Sequence, residues 1–496
     1  MKTSSMTKIA AWILAILALP ALTHAAPWLR TYGGPDQEFP AKITPNTDGT
    51  FYLLAGTRSY GAGETDCLFA RLTNSGVSVW AKAIGEKGDD ILTAVPAADG
   101  GYFVGGHTTS FGLGNPAATN YNVYFGKFDS SWRAISQKVW GGTKDETAEF
   151  DQTTDGGFLF RGSSASYTTS DTDLRDVFLF KAATNGAMVW RKVYHFGNND
   201  MVGDTAELAD GYVLAFLTAE GDVIVLKTSK DTGDLLWKRK FHASGVLGLP
   251  KLERTLDGGV LASMSLSTGF DSRILLAKLS GSGAMVWRKT YSHASSGVVP
   301  VSVTERTDAS LIVAGTLLKP VGSNFVANAL VMRLTSGGTV LVQTELAAAG
   351  LDLTADIASG GALWYGVSYD PVESNFDAVC AKLNKTTLMP AWARSFGGPE
   401  GPETGIAYKQ GTQFIFSGHT ESEGTASPGK GNVFGITLTS TGFGPSALST
   451  LSLKGSPAKL KTLTATLQSS SVFTLVSRTS LSPTSVIIQI KPVALN

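Results

Sequence analysis

Residues 80–85 (WAKAIG), 91–99 (ILTAVPAAD), 101–109 (GYFVGGHTT) and 122–129 (NVYFGKFD) are four short apolar segments separated by Gly, Asp and Ser clusters. Asp99-Gly100 falls between two alternating runs. That dipeptide is the strongest short hairpin signal, because both central turn residues must accept positive φ. Four strands in about fifty residues with no helical period describe one blade of a β-propeller.

The same unit recurs along the chain. A Trp opening a strand stands at Trp28, Trp80, Trp190, Trp237, Trp287 and Trp392. Ser136 and Val342 take its place in two further units, and Thr450 in a weak last one. Hairpin turns follow at Asp48-Gly49, Asp155-Gly156, Asp210-Gly211 and Asp257-Gly258, with degraded copies at Asp308-Ala309 and Gly360-Gly361. A lone four-stranded sheet leaves both faces bare, whereas radial stacking covers them and closure removes the free ends. The expected fold is therefore all-β, a single β-propeller of eight or nine four-stranded blades written as nine quasi-repeats. Repeats 1–8 fill 26–446. Residues 447–496 are a weak ninth repeat closing the ring, or an appended β-sheet.

The unit reads W-x-x-x-Y-G-G, D-G-G-Y, then D-x-x-x-x-K-L before the next Trp. It resembles the repeats of exported bacterial β-propellers, the SBBP-type and quinoprotein-like proteins. The resemblance implies the fold and export. It implies little about activity, since this superfold hosts enzymes, binders and scaffolds alike.

The chain has 496 residues, with 41 Lys+Arg against 41 Asp+Glu. That balance argues against a nucleic-acid partner, which calls for a basic excess. Hydrophobic residues at 43% are ample for a core, so wholesale disorder is excluded. Lys2 and Lys8, an apolar run from Ile9 to Leu22, and Thr23-His24-Ala25 form the three parts of a secretory signal over 1–25. An uncleaved anchor is the other reading of that run. No second run of about 20 apolar residues follows, so no transmembrane segment is expected in the mature chain. The expected location is periplasmic or extracellular, and the expected state is monomeric.

Repeated charges read as architecture, because catalytic groups must converge at one place. The cation two residues after each Trp (Arg30, Lys82, Lys192, Arg239, Lys289, Arg394) is expected to lie along the neighbouring rings, gaining cation–π attraction. The pairs Asp66/Arg71, Asn122/Lys127, Asp176/Lys181, Asp222/Lys227, Asn328/Arg333 and Asp377/Lys382 are five apart. Each pair points to opposite faces, so each member is expected to meet a neighbouring strand or blade. Cys67 and Cys380 read as buried apolar thiols in distant units, and His107 and His419 as structural.

The loops after the Trp strands are acidic. Asp36, Glu38, Asp89, Asp90, Asp145, Glu146 and Asp200 are weak candidates for Ca²⁺ ligands if a rim gathers them. Solvated or backbone-bonded turn residues are the plainer reading. No other cofactor is expected. Vicinal Cys, C-x-x-C-H, G-x-S-x-G, H-E-x-x-H and Walker motifs are absent. The functional expectation is an exported, non-catalytic module that binds a protein or glycan through rim loops. The longest insertions are Ser110–Tyr121, Ser163–Asp173 and Glu421–Asn432. The alternative is a hydrolase, lyase or oxidoreductase with its site at the channel mouth.

Overall fold

The computed structural model describes residues 27–38, 42–110, 120–168, 174–197, 199–269, 271–293, 295–322, 324–347, 352–358, 363–370, 375–397, 401–410, 413–421 and 431–441. Beyond these it describes five short strands. The export signal expected at 1–25 lies outside the described residues, as do 111–119, 169–173 and 422–430 of the three long insertions. Among the described residues there is no helix, and none is therefore long and apolar enough to cross a membrane.

Eight antiparallel sheets, each with four principal strands, form the blades of a β-propeller. In blade 1 the strands run outward as Lys42–Pro45, Phe51–Thr57, Asp66–Leu72 and Ser78–Gly85. Blade 2 repeats them as Asp90–Pro96, Tyr102–Thr108, Asn122–Phe128 and Ala134–Trp140. Blade 3 runs Glu146–Gln152, Phe158–Ser164, Asp176–Ala182, Met188–Tyr194, and the pattern continues to blade 8. Both faces of each inner sheet are covered, which is why strands such as Asn122–Phe128 and Asp176–Ala182 are buried along their whole length.

The Trp strand does not open its blade. It is the outermost strand of the blade before, so the sequence repeat and the structural repeat are one strand out of phase. Blade 8 consists of Thr404–Gln410, Gln413–Thr420 and Asn432–Leu438, completed by the N-terminal strand Leu29–Tyr32, with Leu29 opposite Ile436. That pairing closes the ring at eight blades. Thr450, which opens the weak last unit, lies in the strand Ser449–Thr450 on the outer edge of blade 7. Lys454–Pro457, Leu460–Leu463, Thr484–Ser485 and Gln489–Pro492 add in the same way to blades 6, 5, 2 and 1.

The Trp strand grips the next blade. Trp28 Nε1 donates to the carbonyl of Asn74 at 2.9 Å, and the Tyr32 hydroxyl to that of Gly76 at 2.7 Å. Trp190 and Tyr194 do the same to Lys230 and Gly233, and Trp287 and Tyr291 to Ser336 and Gly338. A Cβ on Gly76 (φ +77°) would fall 2.8 Å from the Trp28 ring. Glycine is required there on both counts. At Arg30, Arg239 and Lys192 polar contact takes the place of the expected cation–π role. Arg30 and Arg239 donate to carbonyls of the gripped turn, and Lys192 pairs with Asp234 at 2.9 Å. The turn carbonyls lie within reach, and a charged donor satisfies them better than ring faces would.

The second repeated charge ties blades 1 to 6 internally, whereas Lys382 of blade 7 donates to the Ser440 carbonyl in blade 8 at 2.8 Å. Arg71, Lys127, Lys181, Lys227, Lys278 and Arg333 reach Asp48, Asp99, Asp155, Asp210, Asp257 and Asp308 of the hairpin turn at 2.5–3.6 Å. Cys67 and Cys380 are free and buried, and burial pushes both thiols well up.

Candidate binding face

The connections from outer to inner strands and from second to third strands share one face of the ring, here the upper face. Each acidic loop ends on a residue at, or shortly before, the start of the next blade's inner strand. Glu38, Asp90, Glu146, Asp200 and Glu403 stand there, each at most 1% exposed. Their backbone N–H groups donate to the carbonyls of Gly431, Thr65, Tyr121, Arg175 and Phe376 in the preceding blade, at 2.7–2.9 Å. Their carboxylates turn back into the loop, accepting N–H from Gly34, Glu86, Gly142 and Phe196 for the first four. A hydroxyl from the second strand or just beyond completes the latch: Thr57 to Glu38, Ser110 to Asp90, Ser164 to Glu146, Thr420 to Glu403. At Gly85 a Cβ would lie 1.5 Å from Asp66 Oδ1 and 2.9 Å from Asp90 Oδ2. The glycine lets the two acids close over the backbone.

The seven acidic candidates are thus spread over four blade junctions. Glu38, Asp90, Glu146 and Asp200 are buried latches, while Asp36, Asp89 and Asp145 sit in the loops. Asp36 accepts the N–H of Gln37, and Asp145 that of Tyr121. Among the described residues no group of three or more His, Cys, Asp or Glu is gathered to hold a metal ion. Burial pushes Asp90 up to about 6 and Asp200 up to about 7, with the neighbouring Asp66 and Asp176 acting in the same sense. Glu38 and Glu146 are raised for the same first reason. His195 replaces the glycine at the junction of blades 3 and 4 and lies 2.8 Å from Asp176. His107 and His419 contact the carbonyls of Ala148 and Glu38 in the following blade.

Residues outside the repeat line two cavities on this face. The first, of 730 Å³, lies at blades 1 and 2 and is lined by Lys42, Leu54, Arg58, Asp89, Ile91 and Tyr121, with Ile406 from blade 8. The second, of 410 Å³, spans blades 2 to 5 with His107, Glu149, Arg161, Arg175 and Lys251. The His107 and Tyr121 rings meet edge to face at 5.1 Å, one lining each cavity.

Arg161 escaped the reading of the sequence. Its place in the second strand holds Gly105, Ala215, Ser263, Ala314, Gly366 and Ser417 in six other blades. A long cation among small residues was the available signal. Its guanidinium bonds Glu149 at 2.8 Å, Thr205 at 3.1 Å, and Asp151, so it is neutralised within the wall.

The fold makes this chain a β-propeller. No family model matches it, and no curated protein matches it. Among solved structures it is similar to the polysaccharide lyase Uly1, at 10% identity, covering 82% of this chain and 90% of that one, with a TM-score of 0.41. Prolyl oligopeptidase B from Galerina marginata shares 9% identity over 78% of this chain and 55% of that one, TM-score 0.41. The α-L-arabinofuranosidase from Fusarium graminearum shares 9% over 82% and 96%, TM-score 0.32. Likeness at this level carries no argument about activity.

Proposed function

We propose that the protein is an exported, non-catalytic propeller of the SBBP-repeat kind that binds a protein or glycan partner through its upper face. The observation that carries this reading is an asymmetry. The long second-to-third connections fall on the contiguous blades 8, 1, 2 and 3, whereas blades 5 and 6 join those strands across two residues each. The larger cavity opens on the same arc. Variable loops on a rigid ring suit recognition, and the acids beneath them are tied into blade-to-blade bonds. The signal-like segment 1–25 supports export to the periplasm or beyond.

The test replaces 111–119 and 422–430 with short Gly/Ser linkers and compares capture of envelope and surface material by the parent and the variant. Loss of capture with an unchanged melt supports the reading, and an unchanged capture profile overturns it. Arg161 and Glu149, beside His107 around one cavity, favour the second reading, an enzyme at the channel mouth. Turnover of a glycan or peptide panel that is abolished by Glu149→Gln would establish that instead.

A further inference from the structure

Five short strands from Ser449 onward trace an ordered path around the ring. Ser449–Thr450 pairs with the outer strand of blade 7, Lys454–Pro457 with that of blade 6 and Leu460–Leu463 with that of blade 5. Thr484–Ser485 then lies on blade 2 and Gln489–Pro492 on blade 1. The tail therefore travels backwards around the ring, every pairing is antiparallel, and strands on adjacent blades begin five or six residues apart. Each covers the same half of its outer strand, within two to six positions after the Trp position: 394–395, 344–347, 290–293, 138–139 and 82–85. Among the described residues, the outer strands of blades 3 and 4, Met188–Tyr194 and Leu235–Phe241, carry no fifth strand. These are the two blades that lie between the tail's contacts at Leu463 and Thr484.

The length of chain matches the gap. Leu460 to Thr484 is 24 residues for three steps, blade 5 to 4 to 3 to 2, and each observed step takes only five or six. An extended chain rises about 3.3 Å per residue, so reach is ample. Residues 464–483 (TATLQSSSVFTLVSRTSLSP) contain no Gly and place their single Pro last. Val472, Phe473, Thr474 and Val476 form a run suited to a strand. We propose that residues 464–483 lie as added strands on the outer edges of blades 4 and 3, opposite 239–242 and 192–195, so that the tail is one continuous belt over seven blades. Each added strand pairs backbone N–H and C=O groups that an outer edge otherwise turns to water.

Hydrogen–deuterium exchange on the full chain, read by fragmentation mass spectrometry, tests it. Within 192–195 and 239–242, the amides that do not bond the third strand are expected to exchange as slowly as those of 82–85 on blade 1. Replacing 464–483 with a Gly/Ser linker of equal length should speed them at least about tenfold, leaving 82–85 and 290–293 unchanged. Val472→Pro/Thr474→Pro/Val476→Pro should do the same on at least one of the two edges, since Pro cannot donate to a ladder. Should the linker variant fail to fold, the proline variant decides alone. Fast exchange at both edges of the parent, or slow exchange that survives the substitutions, overturns the proposal. Protection that appears only as concentration rises, with a dimer mass in sedimentation, assigns these edges to a second copy and overturns it as well.

Discussion

Leu29 lies opposite Ile436 in one antiparallel pair, so the first described strand completes the last blade. The ring is closed by this pairing, and the strands beyond Ser449 only add to outer edges. Deleting 27–32 is expected to abolish cooperative unfolding, since Trp28 and Tyr32 also hold blade 1. Deleting 449–496 is expected to leave a soluble protein with a cooperative calorimetric transition. Aggregation of the second truncation would show that the tail is needed for closure.

The Lys127 side chain is 1% exposed, whereas its partner Asp99 is 56% exposed. Removing the partners should therefore have unequal effects. Asp99→Ala leaves a buried ammonium with the Phe128 carbonyl, and is expected to cost about 1–3 kcal/mol. Lys127→Met leaves a solvated carboxylate and is expected to cost less. Urea unfolding of both variants checks the order.

The two rims should oppose each other in their pH response. Asp90 and Asp200 are raised to about 6 and about 7, so the folded state holds their protons more tightly than the unfolded chain. Their contribution is fully present below the usual carboxylate range and disappears as pH rises towards about 7. On the other rim, Asp155 is lowered to about 2 despite burial, by Thr153, Gly157 and Lys181, so its contribution is lost as pH falls from about 4 to about 2. Maximum stability is expected between about pH 4 and 6. Asp90→Asn/Asp200→Asn should flatten the decline on the neutral side of a melting-temperature profile. An unchanged slope would contradict the burial of these acids.

Glycines with opposite surroundings should separate cleanly. Gly100 has a φ of +81° and open space where a Cβ would go, so Gly100→Ala is expected to cost about 1 kcal/mol. Gly85→Ala drives a methyl into Asp66 and Asp90 and should lower the melting temperature considerably more. Equal shifts would show that the latch relaxes freely.

Cys67 and Cys380 should resist alkylation by iodoacetamide in the native protein and react fully in denaturant. Both thiols are buried, and burial disfavours the reactive thiolate. Rapid native labelling would indicate local opening of blade 1 or 7.

The sequence by itself determined the four-strand unit, because alternation and Asp-Gly turns act between residues at most a few positions apart. It also determined that the repeated Trp, Lys and Asp belong to the frame, since a group present in most blades cannot mark one site. Tertiary structure alone decided the blade number and the phase of the unit. Both depend on Leu29 meeting Ile436, a pairing with no local signature. It alone distinguished Glu38, Asp90, Glu146 and Asp200, sealed between blades, from Asp36, Asp89 and Asp145 beside them in the same loops. Burial is set by which neighbouring blade covers a residue, and adjacent acids in a loop carry no mark of that. For the same reason Lys42, Arg58 and Ile91, scattered along the chain, became one cavity only when blades 1 and 2 were placed side by side.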